Sequence, residues 1–201
     1  YLVRMARAHQ GELLLCPIGP LTNIAAAMEL DPSFCSNLKG MVVMGGSLRA
    51  GGNITPAAEA NFYHDPDAAD FVLRHGCNIT LVGLDVTNRV ICPRSFFARL
   101  ASESPKMGGL LHDMAEFYID FYETVGKFAG CGMHDPSALV ACIAPELFTT
   151  EPHALRVTLS GDRSGEMIAV ANSTAQPVNV CTDVQAEAVK QNFFKNVAKL
   201  S

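Results

Sequence analysis

Glu12-Leu-Leu-Leu-Cys16, then Pro17-Ile-Gly-Pro20, then Leu21-Thr-Asn-Ile-Ala-Ala-Ala-Met-Glu-Leu30: the fold class turns on these three consecutive stretches. The first is short and almost continuously apolar, with Gly11 before it and two prolines after it, which predicts a strand buried on both faces. The last is rich in strong helix formers and stops at Asp31-Pro32, because a residue that precedes proline is driven out of the helical region. Strand, turn and helix follow one another directly.

The unit recurs outward from there. Met41-Val-Val-Met44 reads as a second buried strand ended by Gly45-Gly46, and after a Gly- and Asn-containing loop Asp65-Pro66 opens a helix through His75, closed by Gly76. Ile79-Thr-Leu-Val-Gly-Leu-Asp85 reads as a third strand and Pro93 to Ala101 as the next helix. Such alternation predicts an α/β fold: an open, mostly parallel sheet with helices on both faces. Met107 to Phe128 reads as one long amphipathic helix carrying Phe117, Tyr118, Phe121 and Tyr122, and Asp135-Pro136 begins another that runs to Ile143. Short strands follow at Leu155–Leu159, Met167–Val170 and Val178–Cys181, separated by the turns Gly161–Gly165 and Asn172–Pro177, and Asp183 is expected to cap a last helix ending near Leu200. No repeat, low-complexity tract or linker interrupts residues 1–201, so a single domain is expected.

Composition narrows the function. The 201 residues are 49% hydrophobic and 17% charged, enough apolar material for a sizeable core. A net charge of -5 gives no electrostatic reason to bind nucleic acid or an anionic membrane; a small neutral or cationic ligand suits it better. The seven cysteines are odd in number and form no C-x-x-C pair, so buried free thiols in a reducing compartment are expected rather than disulfides or a zinc site. With no apolar run near the ~20 residues a bilayer requires and no signal peptide at the start, a soluble cytoplasmic protein is expected. Tyr1 to His9 already reads as helix interior, as if the chain began partway through an element.

Ligands of open α/β sheets bind outside the carboxyl ends of the strands, so polar residues there are the candidates. After the first strand, Pro17-Ile-Gly-Pro20 offers backbone carbonyls or simply a rigid turn. After the second, Asn53, Glu59 and Asn61 offer amides and a carboxylate of the kind that holds vicinal hydroxyls, although a solvated loop explains the same composition. After the third, Asp85 supplies another carboxylate whose role stays open between chemistry and turn capping. Finally His134-Asp135-Pro136 opens a helix, and capping alone would account for its aspartate; His64-Asp65-Pro66 is the same tripeptide at another helix start. Only Gly130-Cys-Gly132, read as allowing a flexible approach to a pocket, sets the second copy apart.

Five ordered blocks carry a resemblance: Leu15-Cys-Pro-Ile-Gly-Pro-Leu-Thr-Asn-Ile-Ala25, Met41-Val-Val-Met-Gly-Gly46, Asn53-Ile-Thr-Pro-Ala-Ala-Glu-Ala-Asn61 with Asp65-Pro-Asp-Ala-Ala69, Val82-Gly-Leu-Asp-Val-Thr87 and Met133-His-Asp-Pro136. In order and spacing they resemble the inosine-uridine preferring nucleoside hydrolases. The resemblance implies a Rossmann-like fold, hydrolysis of the N-glycosidic bond of ribonucleosides, a calcium ion and a homodimer or homotetramer. It further implies that Asp135 and the main-chain carbonyl of Ile18 are calcium ligands, that Asn53, Glu59 and Asn61 clamp the ribose with Met44 lining the sugar pocket, and that His134 matches the histidine that protonates or steers the departing base in purine-accepting members. Two departures stand out. The family's Asp-x-Asp-x-x-x-Asp-Asp cluster has no match here and is expected upstream of Tyr1, and Ala60 stands where members often place a phenylalanine. Without that cluster a catalytically inactive ribose- or nucleoside-binding protein is the competing expectation, and a domain whose loops serve only folding is a third.

Overall fold

The computed structural model describes residues 1–124, 129–171 and 176–200. Along the chain come α1 (Leu2–Ala8), β1 (Leu14–Leu15), α2 (Thr22–Leu30), β2 (Gly40–Met44), α3 (Ala60–His64), α4 (Pro66–His75), β3 (Ile79–Val82) and the short α5 (Leu84–Thr87). They are followed by β4 (Ile91–Cys92), α6 (Arg94–Glu103), α7 (Met107–Thr124), β5 (Cys131–Gly132) and α8 (His134–Ile143). The chain then runs through β6 (Phe148–His153), β7 (Leu155–Val157), β8 (Met167–Ala169), β9 (Val178–Val184) and α9 (Ala186–Ala198).

Five strands form the main sheet in the order β1-β2-β3-β9-β6, parallel throughout except for β6, which runs antiparallel to β9. The expected open, mostly parallel sheet is therefore present. Its two faces are separated by the strand period of two. Met41 and Val43 of β2 join Ile79, Leu81, Val178 and Val180 in one core with α2 and α4, while Val42 and Met44 join Val82, Cys181 and Val184 in a second core with α7 and α8. β4 with β5, and β7 with β8, make two small antiparallel pairs apart from this sheet.

Several expectations need correction. β1 is not buried on both faces: it pairs only with β2, and Leu14 is 38% exposed, because among the described residues it is the sheet's edge. β3 stops at Val82 rather than Asp85, since Leu84 N–H donates to the Gly46 carbonyl at 3.0 Å and turns the chain into α5. β9 continues to Val184 because β6 pairs with it as far as Phe148, so Asp183 lies in a strand and caps no helix; its carboxylate meets Arg89 at 2.6 Å. β6 itself was missed, because Pro152 and the exposed Thr149, Thr150 and Glu151 read as loop; an edge strand tolerates both. The helix expected to reach Phe128 is described to Thr124, and residues 125–128, like residues 172–175 of the last turn, lie outside the described residues. All seven cysteines are free; Cys92, Cys131 and Cys181 are buried, while Cys16, Cys35, Cys77 and Cys142 are only partly buried rather than buried as expected.

Phe62 of α3 is completely buried against the turn after β2. Gly46 has φ +68, and a Cβ on it would come within 2.7 Å of the Phe62 ring, so a side chain there would meet both strain and a clash. At the other end of the first unit, Asp31 accepts from Arg7 Nε at 2.8 Å and from the Ser33 hydroxyl and N–H at 2.7 and 3.0 Å, tying α1 to the end of α2. The Arg7 guanidinium, with Ser33, lowers its carboxyl from 3.8 to about 2. A depressed folded value means that this stabilisation is present above the unfolded value and is lost as pH falls from 3.8 toward about 2. Asp31→Asn is expected to flatten acid unfolding across that window, followed by circular dichroism; an unchanged acid limb would show that the pair has no linkage to folding.

Candidate active site

The two His-Asp-Pro tripeptides part company in three dimensions. Asp65 caps α4: Oδ1 accepts from Ala68 N–H at 3.0 Å and Oδ2 from the Thr22 hydroxyl, while His64 Nδ1 meets the Ala60 carbonyl. Asp135 does none of this. Helix α8 starts at His134 with Met133 as its cap residue, no side chain makes a cap bond, and Asp135 stands in the first turn without a hydrogen bond or ion pair among the described residues. Asp65→Ala is therefore expected to cost about 1 kcal/mol in denaturant unfolding, a loss that Asp135→Ala should not share.

Burial raises the Asp135 carboxyl above its ordinary value, and no lysine or arginine among the described residues offsets it. Glu59 is also raised, first by burial, then opposed by backbone donors, and it feels the charge of Asp135. Cys16, at the exit of β1, is pushed up to about 12 by burial, by Cys142 and by Asp135. The Asp135 charge thus reaches both the turn after β1 and the loop after β2. A half-buried carboxylate with no basic partner among the described residues is costly to keep charged unless a cation is paired with it.

His134 is held from both ring nitrogens, Nδ1 by the Thr87 hydroxyl at 2.8 Å and Nε2 by the Tyr122 hydroxyl at 2.9 Å. It also lies against Gly132, where a Cβ would come 2.8 Å from Nε2. His134 and Asp135 share a cavity of about 330 Å³ whose apolar walls include Phe97, Met114, Tyr118 and Phe193. None of Ile18, Met44, Asn53, Glu59 or Asn61 lines that cavity.

Those five are nonetheless linked to one another. Met44 N–H donates to the Pro17 carbonyl at 2.9 Å, which sets Ile18 beside the end of β2. Asn61 Nδ2 donates to the Met44 carbonyl at 3.1 Å and to its sulfur at 3.4 Å, leaving Asn61 Oδ1 as an open acceptor. Asn53 does the reverse: its Oδ1 accepts from Ala60 N–H at 2.9 Å and its NH₂ stays available. Glu59, only 2% exposed, accepts from Gly46, Asn61 and Phe62 N–H and caps α3. Met44 is 2% exposed and seats Asn61 more than it lines a surface. Asp85, left open by sequence, accepts from Leu48, Arg49 and Ala50 N–H at 2.7, 2.7 and 3.1 Å and anchors the loop after β2. Thr87 and Tyr122 as partners of His134 were missed, because nothing in local pattern says which residues of α5 and α7 meet α8.

Asp135 and the Ile18 carbonyl would supply two oxygens to a calcium ion, and the raised, uncompensated Asp135 fits that duty. They are too few for the six to eight that calcium takes, and among the described residues no group of three or more His, Cys, Asp or Glu could hold a metal. None of the described helices is long and apolar enough to cross a membrane.

Comparison with known proteins was decisive for the family. A probable uridine nucleosidase 1 of rice (Oryza sativa subsp. japonica) is 38% identical over 168 residues, 84% of this chain and 52% of that protein. A plant nucleoside hydrolase structure superposes with TM-score 0.94 at 31% identity, over 98% of this chain and 65% of the other. A purine-preferring ribonucleoside hydrolase from Gardnerella vaginalis gives 0.93 at 33%, over 99% and 64%. The chain spans about half the length of the curated relatives it matches first. The family described as inosine-uridine preferring nucleoside hydrolase matches residues 1–191, and with the five motifs set on this sheet as they are, the chain belongs to that family.

Proposed function

We propose that this chain carries the base-facing part of an enzyme that hydrolyses the N-glycosidic bond of ribonucleosides to ribose and free base. One observation carries the reading: a histidine held at both ring nitrogens and an aspartate with neither a cap bond nor a basic partner among the described residues stand side by side on one cavity. Cleavage leaves an oxocarbenium-like ribosyl cation and a poor leaving group. His134 would give a proton to the departing base beside the apolar wall formed by Met114, Tyr118 and Phe97. Asn53 NH₂ as donor and Asn61 Oδ1 as acceptor, on a loop fixed by Glu59 and Asp85, suit the sugar hydroxyls. Calcium, with Asp135 and Ile18 among its ligands, would polarise the attacking water. The rice relative is named for uridine and the Gardnerella protein for purines, so we assign both base classes as candidate substrates. We further propose one domain over residues 1–201, a soluble cytoplasmic enzyme and a homodimer or homotetramer.

A reducing-sugar assay of the full-length protein on a panel of nucleosides, with and without a calcium chelator, tests this. Ribose release that the chelator abolishes is expected; no release from any nucleoside would overturn the reading. The competing reading is a ribose- or nucleoside-binding protein without turnover. Calorimetric binding of ribose without any release of base from nucleosides would establish it instead.

A further inference from the structure

Thr87 is fully buried in α5, and its hydroxyl has one partner among the described residues, His134 Nδ1 at 2.8 Å. A buried hydroxyl proton left without an acceptor costs far more than an unused oxygen lone pair. The Thr87 O–H therefore donates, and Nδ1 is the acceptor. In the neutral imidazole the remaining proton then sits on Nε2, the nitrogen that faces Tyr122. The ring's position has a second determinant. Gly132 closes β5 two residues before the start of α8, and a Cβ there would stand 2.8 Å from Nε2 and 3.0 Å from Cε1 of His134. The φ of Gly132 is outside the left-handed region, so its need for glycine is set by the imidazole and not by the backbone.

We infer that Thr87 and Gly132 are positioning residues for His134: Gly132 supplies the space the imidazole occupies, and the Thr87 hydroxyl, donating to Nδ1 of the neutral ring, fixes its orientation and resting tautomer with Nε2 toward the Tyr122 hydroxyl. This deepens the proposed hydrolase reading and rests on it. A general acid that is displaced or misoriented fails in proportion to how much the leaving group needs it. Loss should thus appear with inosine and uridine and be nearly absent with nitrophenyl riboside, whose leaving group departs unaided. A role confined to folding would lower both alike.

The test compares Gly132→Ala, Thr87→Val and Thr87→Ser in the full-length protein on inosine and on nitrophenyl riboside, and records nitrogen NMR of histidine-labelled wild type and Thr87→Val. Gly132→Ala is expected to lose on the order of 10²-fold in kcat on inosine, the scale of a 1 Å misplacement, and to keep most activity on nitrophenyl riboside. Thr87→Val should show the same split and Thr87→Ser should recover. The wild-type His134 signal should be that of the Nε2–H tautomer and should change in Thr87→Val. Equal losses on both substrates, no loss on either, or an Nδ1–H tautomer in wild type would overturn the inference. If Gly132→Ala does not fold, the Thr87 pair decides. If wild type hydrolyses neither substrate, the proposed function fails separately, and the tautomer measurement alone decides the placement of His134: Nε2–H sustains it and Nδ1–H refutes it.

Discussion

His134→Ala in the full-length protein is expected to depress turnover of inosine and uridine by roughly 10²- to 10⁴-fold, the range of a positioned proton donor, and to spare nitrophenyl riboside. The expectation follows from how the side chain is held. Its two hydrogen bonds, to Thr87 and Tyr122, reach across from separate helices, α5 and α7, while the ring itself projects from the first residue of α8 into an apolar cavity. A surface histidine would not be fixed at both nitrogens. Alanine removes the imidazole that both hydroxyls meet, so some loss of stability accompanies the loss of rate; the comparison of the two substrates separates them. Steady-state kinetics on both checks it, and equal losses would remove His134 from the role of acid.

Asp135→Asn is expected to abolish calcium-dependent turnover and, measured by melting in the presence of chelator, to raise the stability of the protein. The two effects have opposite signs for one reason. Asp135 is half-buried, raised by desolvation, within reach of the Glu59 charge, and has neither cap bond nor basic partner among the described residues. Without a cation such a carboxylate destabilises the fold, and an isosteric amide relieves it. With a cation the same carboxylate becomes a ligand that the amide replaces poorly. Near-normal rates in Asp135→Asn at ordinary calcium would show that the metal is held elsewhere, and an unchanged melting temperature under chelation would show that the buried charge is compensated.

The parallel core was legible because β2, β3 and β9 are buried on both faces and therefore read as unbroken apolar runs such as Met41-Val-Val-Met44. The antiparallel edge was not. β6 carries Thr149, Thr150, Glu151 and Pro152 toward solvent, and only its pairing with β9 makes it a strand. The same dependence on tertiary partners hid the difference between Asp65 and Asp135, which stand in identical tripeptides. Asp65 is itself the cap residue and bonds Ala68 N–H, whereas at the second site Met133 takes that place and Asp135 falls two residues later, within the first turn. Glu59 illustrates the limit in the other direction: its residue type suits a hydroxyl clamp, yet three backbone donors already hold it and it is nearly inaccessible. Gly132 was read as a point of flexibility, and its position shows instead that it makes room for an imidazole.

The account depends on the turn after β1, the Asn53–Asn61 loop and Asp135 forming one site for a furanose and a divalent ion. The most direct measurement is a crystal structure of the full-length protein soaked with calcium and ribose. An ion within about 2.3–2.6 Å of an Asp135 oxygen and of the Ile18 carbonyl, with ribose hydroxyls on it and against Asn53 and Asn61, is the expected result. An ion that leaves Asp135 untouched, or a sugar bound away from that loop, would contradict it.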